Sequence, residues 1–156
     1  AAIRAFSQYQ NQPVYVVNST FGGRSDLGNS CSNGGALSSI GVSYSVVNTL
    51  ISHNRAIGVS ANPERAGTPG GGSGGAIYND GNSFDLKLCG SKLTANTARE
   101  GGGAIFFVSN DRTGSLSIAN SSLSANPSAG FETAGYPGIF FLGRGSPVIS
   151  NSSLSP

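Results

Sequence analysis

Charge is scarce in this sequence. Asp, Glu, Lys and Arg make up 10% of 156 residues, and the net charge is +2. The basic residues are scattered, which argues against the clustered positive face of a nucleic-acid or acidic-membrane binder. Long apolar runs are also missing: none approaches the roughly 18 residues of a helical membrane span. Cysteine occurs twice, at Cys31 and Cys89, too rarely for a disulfide framework. Histidine occurs once, at His53, with no Asp, Cys or second His sharing its pattern. A metal site or a histidine base is therefore disfavoured, and a solvated turn residue accounts for it. Trp and Met are absent, while Gly occurs 24 times among many Ser and Asn. Gly, Ser and Asn are poor helix formers, so the composition points to a turn-dense β protein.

What is present is a repeat. An apolar marker follows an Asn-containing corner at Phe21, Ile51, Leu93, Leu123 and Leu154, with steps of 30, 42, 30 and 31 residues. Three residues before each marker stand Asn18, Asn48, Gly90, Asn120 and Asn151. Two before those stand Val16, Val46, Leu88, Ile118 and Ile149. Further upstream come Ile3, Leu37, Ile77, Ile105 and Ile139, preceded by Ala2, Ala36, Ala76, Ala104 and Gly138. The long step needs an insertion of about a dozen residues, supplied by the loop-like stretch at about 58–70.

The phase of these columns predicts architecture. Short alternating runs such as Val14-x-Val16 and Leu116-x-Ile118 read as half-buried strands. One such unit cannot bury its own apolar face; stacking units about 4.8 Å apart does. Asn or Gly suits the corners because both tolerate the left-handed backbone region. The expected fold is all-β: a right-handed parallel β-helix of about five rungs with three short strands each. The rungs run 1–33, 34–73, 74–101, 102–135 and 136–156, as one domain. Stacked Asn side chains are expected to hydrogen-bond along the pile.

At this point a family pattern enters. Gly34-Gly35-Ala36-Leu37, Gly74-Gly75-Ala76-Ile77 and Gly102-Gly103-Ala104-Ile105 resemble the GGA[I/L/V] motif of the chlamydial polymorphic outer membrane protein repeat. Ile51-Ser52-His53-Asn54, Leu93-Thr94-Ala95-Asn96 and Leu123-Ser124-Ala125-Asn126 resemble its partner motif, FxxN, with Ile or Leu replacing the Phe. The row holding Phe21 has Arg24 where the motif has Asn. The resemblance implies a β-helix serving surface adhesion, hence an extracellular or cell-surface location. Pectin-lyase-like proteins share the architecture with other activities, so fold alone does not decide function.

Candidate chemistry is sparse. Gly71-x-Ser73-x-Gly75 and Gly70-x-Gly72-x-x-Gly75 match a nucleophile elbow and a dinucleotide fingerprint, but both lie before a strand rather than between strand and helix. Asp80, Asp85 and Asp111 fall in the first loops of rungs three and four and are the best catalytic or calcium candidate, with solvated loop residues as the commoner explanation. Asn18-Ser19-Thr20, Asn120-Ser121-Ser122 and Asn151-Ser152-Ser153 match the glycosylation sequon, yet each is also a corner of the repeat. If Ile77, Ile105 and Ile139 point inward, Tyr78, Phe106 and Phe140 point outward on three successive rungs. Phe107 and Phe141 compete for that face, and one bulge would turn the first three rings into core.

The leading expectation is a non-enzymatic surface module that binds a glycan or a surface protein through Tyr78, Phe106 and Phe140, with no cofactor, metal or nucleic acid. The alternative is a carbohydrate-active β-helix, or a fragment of one. Uncapped rungs at both ends further suggest a segment of a longer solenoid, or copies associating end to end.

Overall fold

The structure, a computed structural model, describes residues 1–6, 11–58 and 71–156. Most of the expected insertion, 59–70, lies outside the described residues. Rung one contains β1 (Ile3–Phe6), β2 (Val14–Val17), β3 (Thr20–Phe21) and β4 (Ser30–Cys31). Rung two contains β5 (Leu37–Ile40), β6 (Tyr44–Val47), β7 (Leu50–Ser52) and β8 (Arg55–Ala56). Rung three contains β9 (Ile77–Gly81), β10 (Asp85–Cys89), β11 (Lys92–Thr94) and β12 (Thr97–Ala98). Rung four has β13 (Ile105–Ser109), β14 (Ser115–Ala119) and β15 (Ser122–Ser124). Rung five has β16 (Ile139–Leu142), β17 (Val148–Ser150) and β18 (Ser153–Leu154).

Equivalent strands pair in parallel into three five-stranded sheets and one three-stranded sheet, and no helix occurs among the described residues. This is a parallel β-helix of five rungs. The register matches the sequence columns: Phe21, Ile51, Leu93, Leu123 and Leu154 stand one above another. So do Ile3, Leu37, Ile77, Ile105 and Ile139. The 42-residue step is absorbed between β8 and β9, leaving the pairing on both sides in phase.

The expectation of three strands per rung needs correction. The first three rungs carry a fourth, made of β4, β8 and β12, and Cys31 lies there. These two-residue strands are held rung to rung, with the Arg55 N–H donating to the Asn29 carbonyl and the Thr97 N–H to the Asn54 carbonyl. Both cysteines are free.

Three polar devices make the corners. At the turn from the second sheet to the third, Asn18, Asn48, Gly90, Asn120 and Asn151 all take the left-handed conformation, with φ between 45° and 59°. The residue after each carries a hydroxyl, and these hydroxyls form a ladder. Thr49, Ser91 and Ser121 donate their N–H groups to the hydroxyls of Ser91, Ser121 and Ser152 on the next rung, at 3.0 to 3.1 Å. Each of these hydroxyls donates in turn to the carbonyl two residues back.

The third device is a buried asparagine ladder. Asn54 donates its backbone N–H and its Nδ2 to Oδ1 of Asn96, at 3.0 and 2.9 Å. Asn96 does the same to Asn126, at 3.1 and 2.9 Å. Here the structure corrects the reading of Arg24. The missing rung of the ladder is filled by Asn29, whose N–H and Nδ2 donate to Oδ1 of Asn54 at 3.0 and 2.8 Å. Residues 24–28 form an extra turn that displaces Asn29 from the FxxN spacing.

The core fills the space between the sheets with Leu37, Ile77, Ile105, Leu86, Leu116, Ile118 and Leu123, all at most 1% exposed. Tyr44 shares the inner column of Val14, Leu86 and Leu116 and donates its hydroxyl to the Ser38 carbonyl at 3.0 Å. Burial pushes the pKa of this phenol up to about 12. An unfolded tyrosine titrates near 10. The contribution of the neutral phenol is therefore intact below pH of about 10 and lost as pH rises toward 12. Alkaline denaturation followed by circular dichroism should show stability falling across that window. Tyr44→Phe should flatten the fall; an unchanged alkaline limb in that variant would contradict the assignment.

Candidate binding surface

Along β9, β13 and β16 side chains alternate without a bulge. Ile77, Asn79, Ile105, Phe107 and Ile139 are buried, while Tyr78, Phe106 and Phe140 stand half-buried on the outer face. Because the strands pair in register, the three rings stack. The Tyr78 and Phe106 centroids are 5.1 Å apart with planes 4° from parallel. Phe106 and Phe140 are also 5.1 Å apart, at 23°. The competing pair, Phe107 and Phe141, forms a separate inner stack at 5.2 Å.

This geometry decides what the column presents. Rings stacked face to face consume one another's faces, so the surface receives their edges. An edge row suits contact with another ring's face or with apolar side chains. The chain itself sets a fourth ring against the column. Phe131, from the return loop after Asn126, meets Phe140 at 4.7 Å and 71°, and Phe106 at 6.3 Å and 57°. Backbone bonds fix it in place, from the Phe131 N–H to the Glu100 carbonyl and from the Gly102 N–H to the Phe131 carbonyl. Gly101 is required beneath it, since a Cβ there would lie 2.3 Å from the ring. Glu132 ties the loop by accepting from the Gly138 N–H at 2.9 Å and the Ser128 hydroxyl at 3.0 Å. Phe131 remains 41% exposed and extends the aromatic surface sideways. Its loop carries no periodicity, so the sequence offered no signal for it.

The column's lower end is polar. Tyr78 donates its hydroxyl to Asp80 at 3.0 Å. Burial, then the nearby carboxylates of Asp80 and Glu100, raise its pKa well above the usual tyrosine value.

The remaining candidates separate. Asp80 serves Tyr78, whereas Asp85 accepts from the Ser115 N–H across in the second sheet. Asp111 closes its own loop, where the Thr113 N–H, with help from the hydroxyls of Thr113 and Ser109, holds its carboxyl below the usual range. Among the described residues no group of three or more acids, His or Cys is arranged to hold a metal. Ser73 is 2% exposed and donates to Glu100 at 2.7 Å, so the elbow motif buries its would-be nucleophile. His53 is a turn residue at φ 61°, but it is half-buried with Nδ1 shielded from solvent rather than solvated. The sequon asparagines sit in the corner ladder, with Asn48 donating to Asn18 and Asn151 to Asn120.

The two sequence motifs meet physically. A Cβ on Gly35 would lie 2.8 Å from the Cβ of Asn54, and one on Gly103 would lie 2.0 Å from the Asn126 carbonyl oxygen. The glycine pair thus exists to let one motif's backbone close onto the other's asparagine. Residues 48–80, which hold one copy of each half, match the family described as the Chlamydia polymorphic membrane protein repeat. The likeness is confined to this stretch of the chain. Its Asn54 is a rung of the buried ladder, and its Gly74, at φ 70°, makes the turn into β9. Searches of the curated proteins and of the solved structures returned no significant match. No helix among the described residues is long and apolar enough to cross a membrane.

Proposed function

We propose that the chain is a non-enzymatic β-helical module of a cell-surface or secreted protein, and that it adheres to a protein partner through the aromatic surface of Tyr78, Phe106 and Phe140 flanked by Phe131. The observation that carries this reading is the edge-on presentation of the stacked rings. A saccharide stacks on a ring face, and between Tyr78 and Phe140 the stacked rings cover one another's faces, with Phe106 covered on both sides. A protein partner brings ring faces and apolar side chains to such edges. The repeat match supports the surface location. The carbohydrate-active alternative lacks support, because its carboxylates are dispersed into separate loop and strand roles.

The test uses labelled protein bound to cultured cells. Protease treatment of the cells should remove binding, and glycosidase treatment should not. Replacing Tyr78, Phe106 and Phe140 together with Ser should weaken binding at least about tenfold, since buried aromatic anchors each contribute more than that factor at protein interfaces. The β-sheet circular dichroism signal should persist. If the triple variant binds as well as the parent, the surface is not the contact. If it unfolds, the rings are core.

A further inference from the structure

A smaller cleft lies on the outer face of the second sheet, on different strands from the aromatic column. Tyr15, Ser45 and Lys87 stand side by side on β2, β6 and β10. They face outward because the intervening Val16, Val46 and Leu88 are buried. Tyr15 is 69% exposed. Its neighbour in the column is a serine rather than a second ring, so it keeps its face open, in contrast to Tyr78. Two residues before Lys87, and on the same side of the strand, Asp85 is held by the Ser115 N–H at 2.9 Å and the Ser115 hydroxyl, both on Oδ1. The Asp85 N–H is anchored on the Ser43 hydroxyl at 2.9 Å. Among the described residues nothing donates to Oδ2, which leaves it for a ligand. Lys87 is exposed and makes no ion pair among the described residues. Asn11, at φ 50°, and Pro13 close one side, and the cleft encloses about 290 Å³.

We propose that this cleft is a saccharide subsite that takes one hexopyranose unit of a neutral glycan. The volume is near the lower bound of small-ligand sites, about 300 Å³. The open Tyr15 face supplies an apolar platform for the C–H face of the sugar ring. Asp85 accepts from sugar hydroxyls, and Lys87 donates to a hydroxyl or to the ring oxygen. A purely apolar ligand would desolvate both charged groups without replacing their hydrogen bonds. The opposite charges of Asp85 and Lys87 balance, so the cleft has no net attraction for an anion. This site is independent of the aromatic column, and either reading stands or falls alone.

Saturation-transfer NMR with cellobiose and lactose tests it. At about 10 mM sugar, which saturates a site with Kd of about 1 mM, the intact chain should transfer saturation to the C–H protons of at least one of them. Tyr15→Ala should remove the transfer, and Tyr15→Phe, which keeps the ring, should retain it. Lys87→Ala should weaken it several-fold. The Tyr78, Phe106, Phe140 triple variant should leave it unchanged. No transfer from the parent protein to either sugar, or undiminished transfer with a folded Tyr15→Ala, overturns the proposal.

Discussion

Ile105→Asp is expected to leave the protein unfolded at ambient temperature. Ile105 is fully buried in a column between Ile77 and Ile139, with Phe107 two residues on. Removing the isoleucine loses about 1.5–3 kcal/mol of apolar burial. The carboxylate that replaces it has no cation within the core and must either stay charged at a penalty of several kcal/mol or take up a proton. Together these approach the whole stability of an ordinary domain, about 5–15 kcal/mol. The loss also strikes a middle rung, so the rungs on either side lose their shared face. Ile105→Val, which removes one methylene, should cost only about 0.5–1.5 kcal/mol. Circular dichroism melts of the two variants make the comparison. A cooperative transition at the parent temperature in Ile105→Asp would refute the inward column.

The second large effect is at Asn96. Its Oδ1 accepts two bonds from Asn54, and its Nδ2 donates to the Ile51 carbonyl and to Oδ1 of Asn126. Asn96→Ala deprives the Asn54 N–H and Nδ2 of this acceptor and the Ile51 carbonyl of its side-chain donor, in a place where no residue of the ladder is more than 4% exposed from Asn54 to Asn126. The Asn54 Nδ2 still reaches the carbonyls of Phe21 and Ser52, which leaves two deprived groups at about 1–3 kcal/mol each, so a total of about 2–6 kcal/mol is expected. Urea unfolding should show the midpoint falling sharply with little change in slope. A shift below about 1 kcal/mol would mean that the ladder is peripheral to stability.

The apolar columns were legible because each rung restates them at a fixed step, and a strand's period of two assigns the faces between them. That logic placed Tyr78, Phe106 and Phe140 outward in register. It failed wherever structure does not repeat. Asn29 was hidden because the turn at 24–28 broke the spacing; the signal lay downstream, where Asn29-Ser30-Cys31 parallels Asn54-Arg55-Ala56 and Asn96-Thr97-Ala98. The fourth sheet was hidden because two-residue strands have no period to read. Phe131 was hidden because its position depends on a loop folding back, a tertiary event with no local pattern. Tyr15 is plain in the sequence, but its open face depends on the serine that the pairing sets beside it.

Gly58 and Gly71 flank the insertion and stand in contact, so close that a Cβ on Gly58 would lie 2.4 Å from the Gly71 carbonyl oxygen. The coil therefore enters and leaves the insertion at one point. The Gly58 N–H is already bonded to the Ser32 carbonyl, and the Gly72 N–H to Oδ1 of Asn33, so the rung below pins both sides of the gap. A segment added there neither rotates nor translates the rungs beyond it. Each doubling of its length costs only about 0.6 kcal/mol of closure entropy. Insertion and scaffold are thereby uncoupled: this junction is a natural socket, able to exchange one segment for another of different length and chemistry while the same core persists beside it.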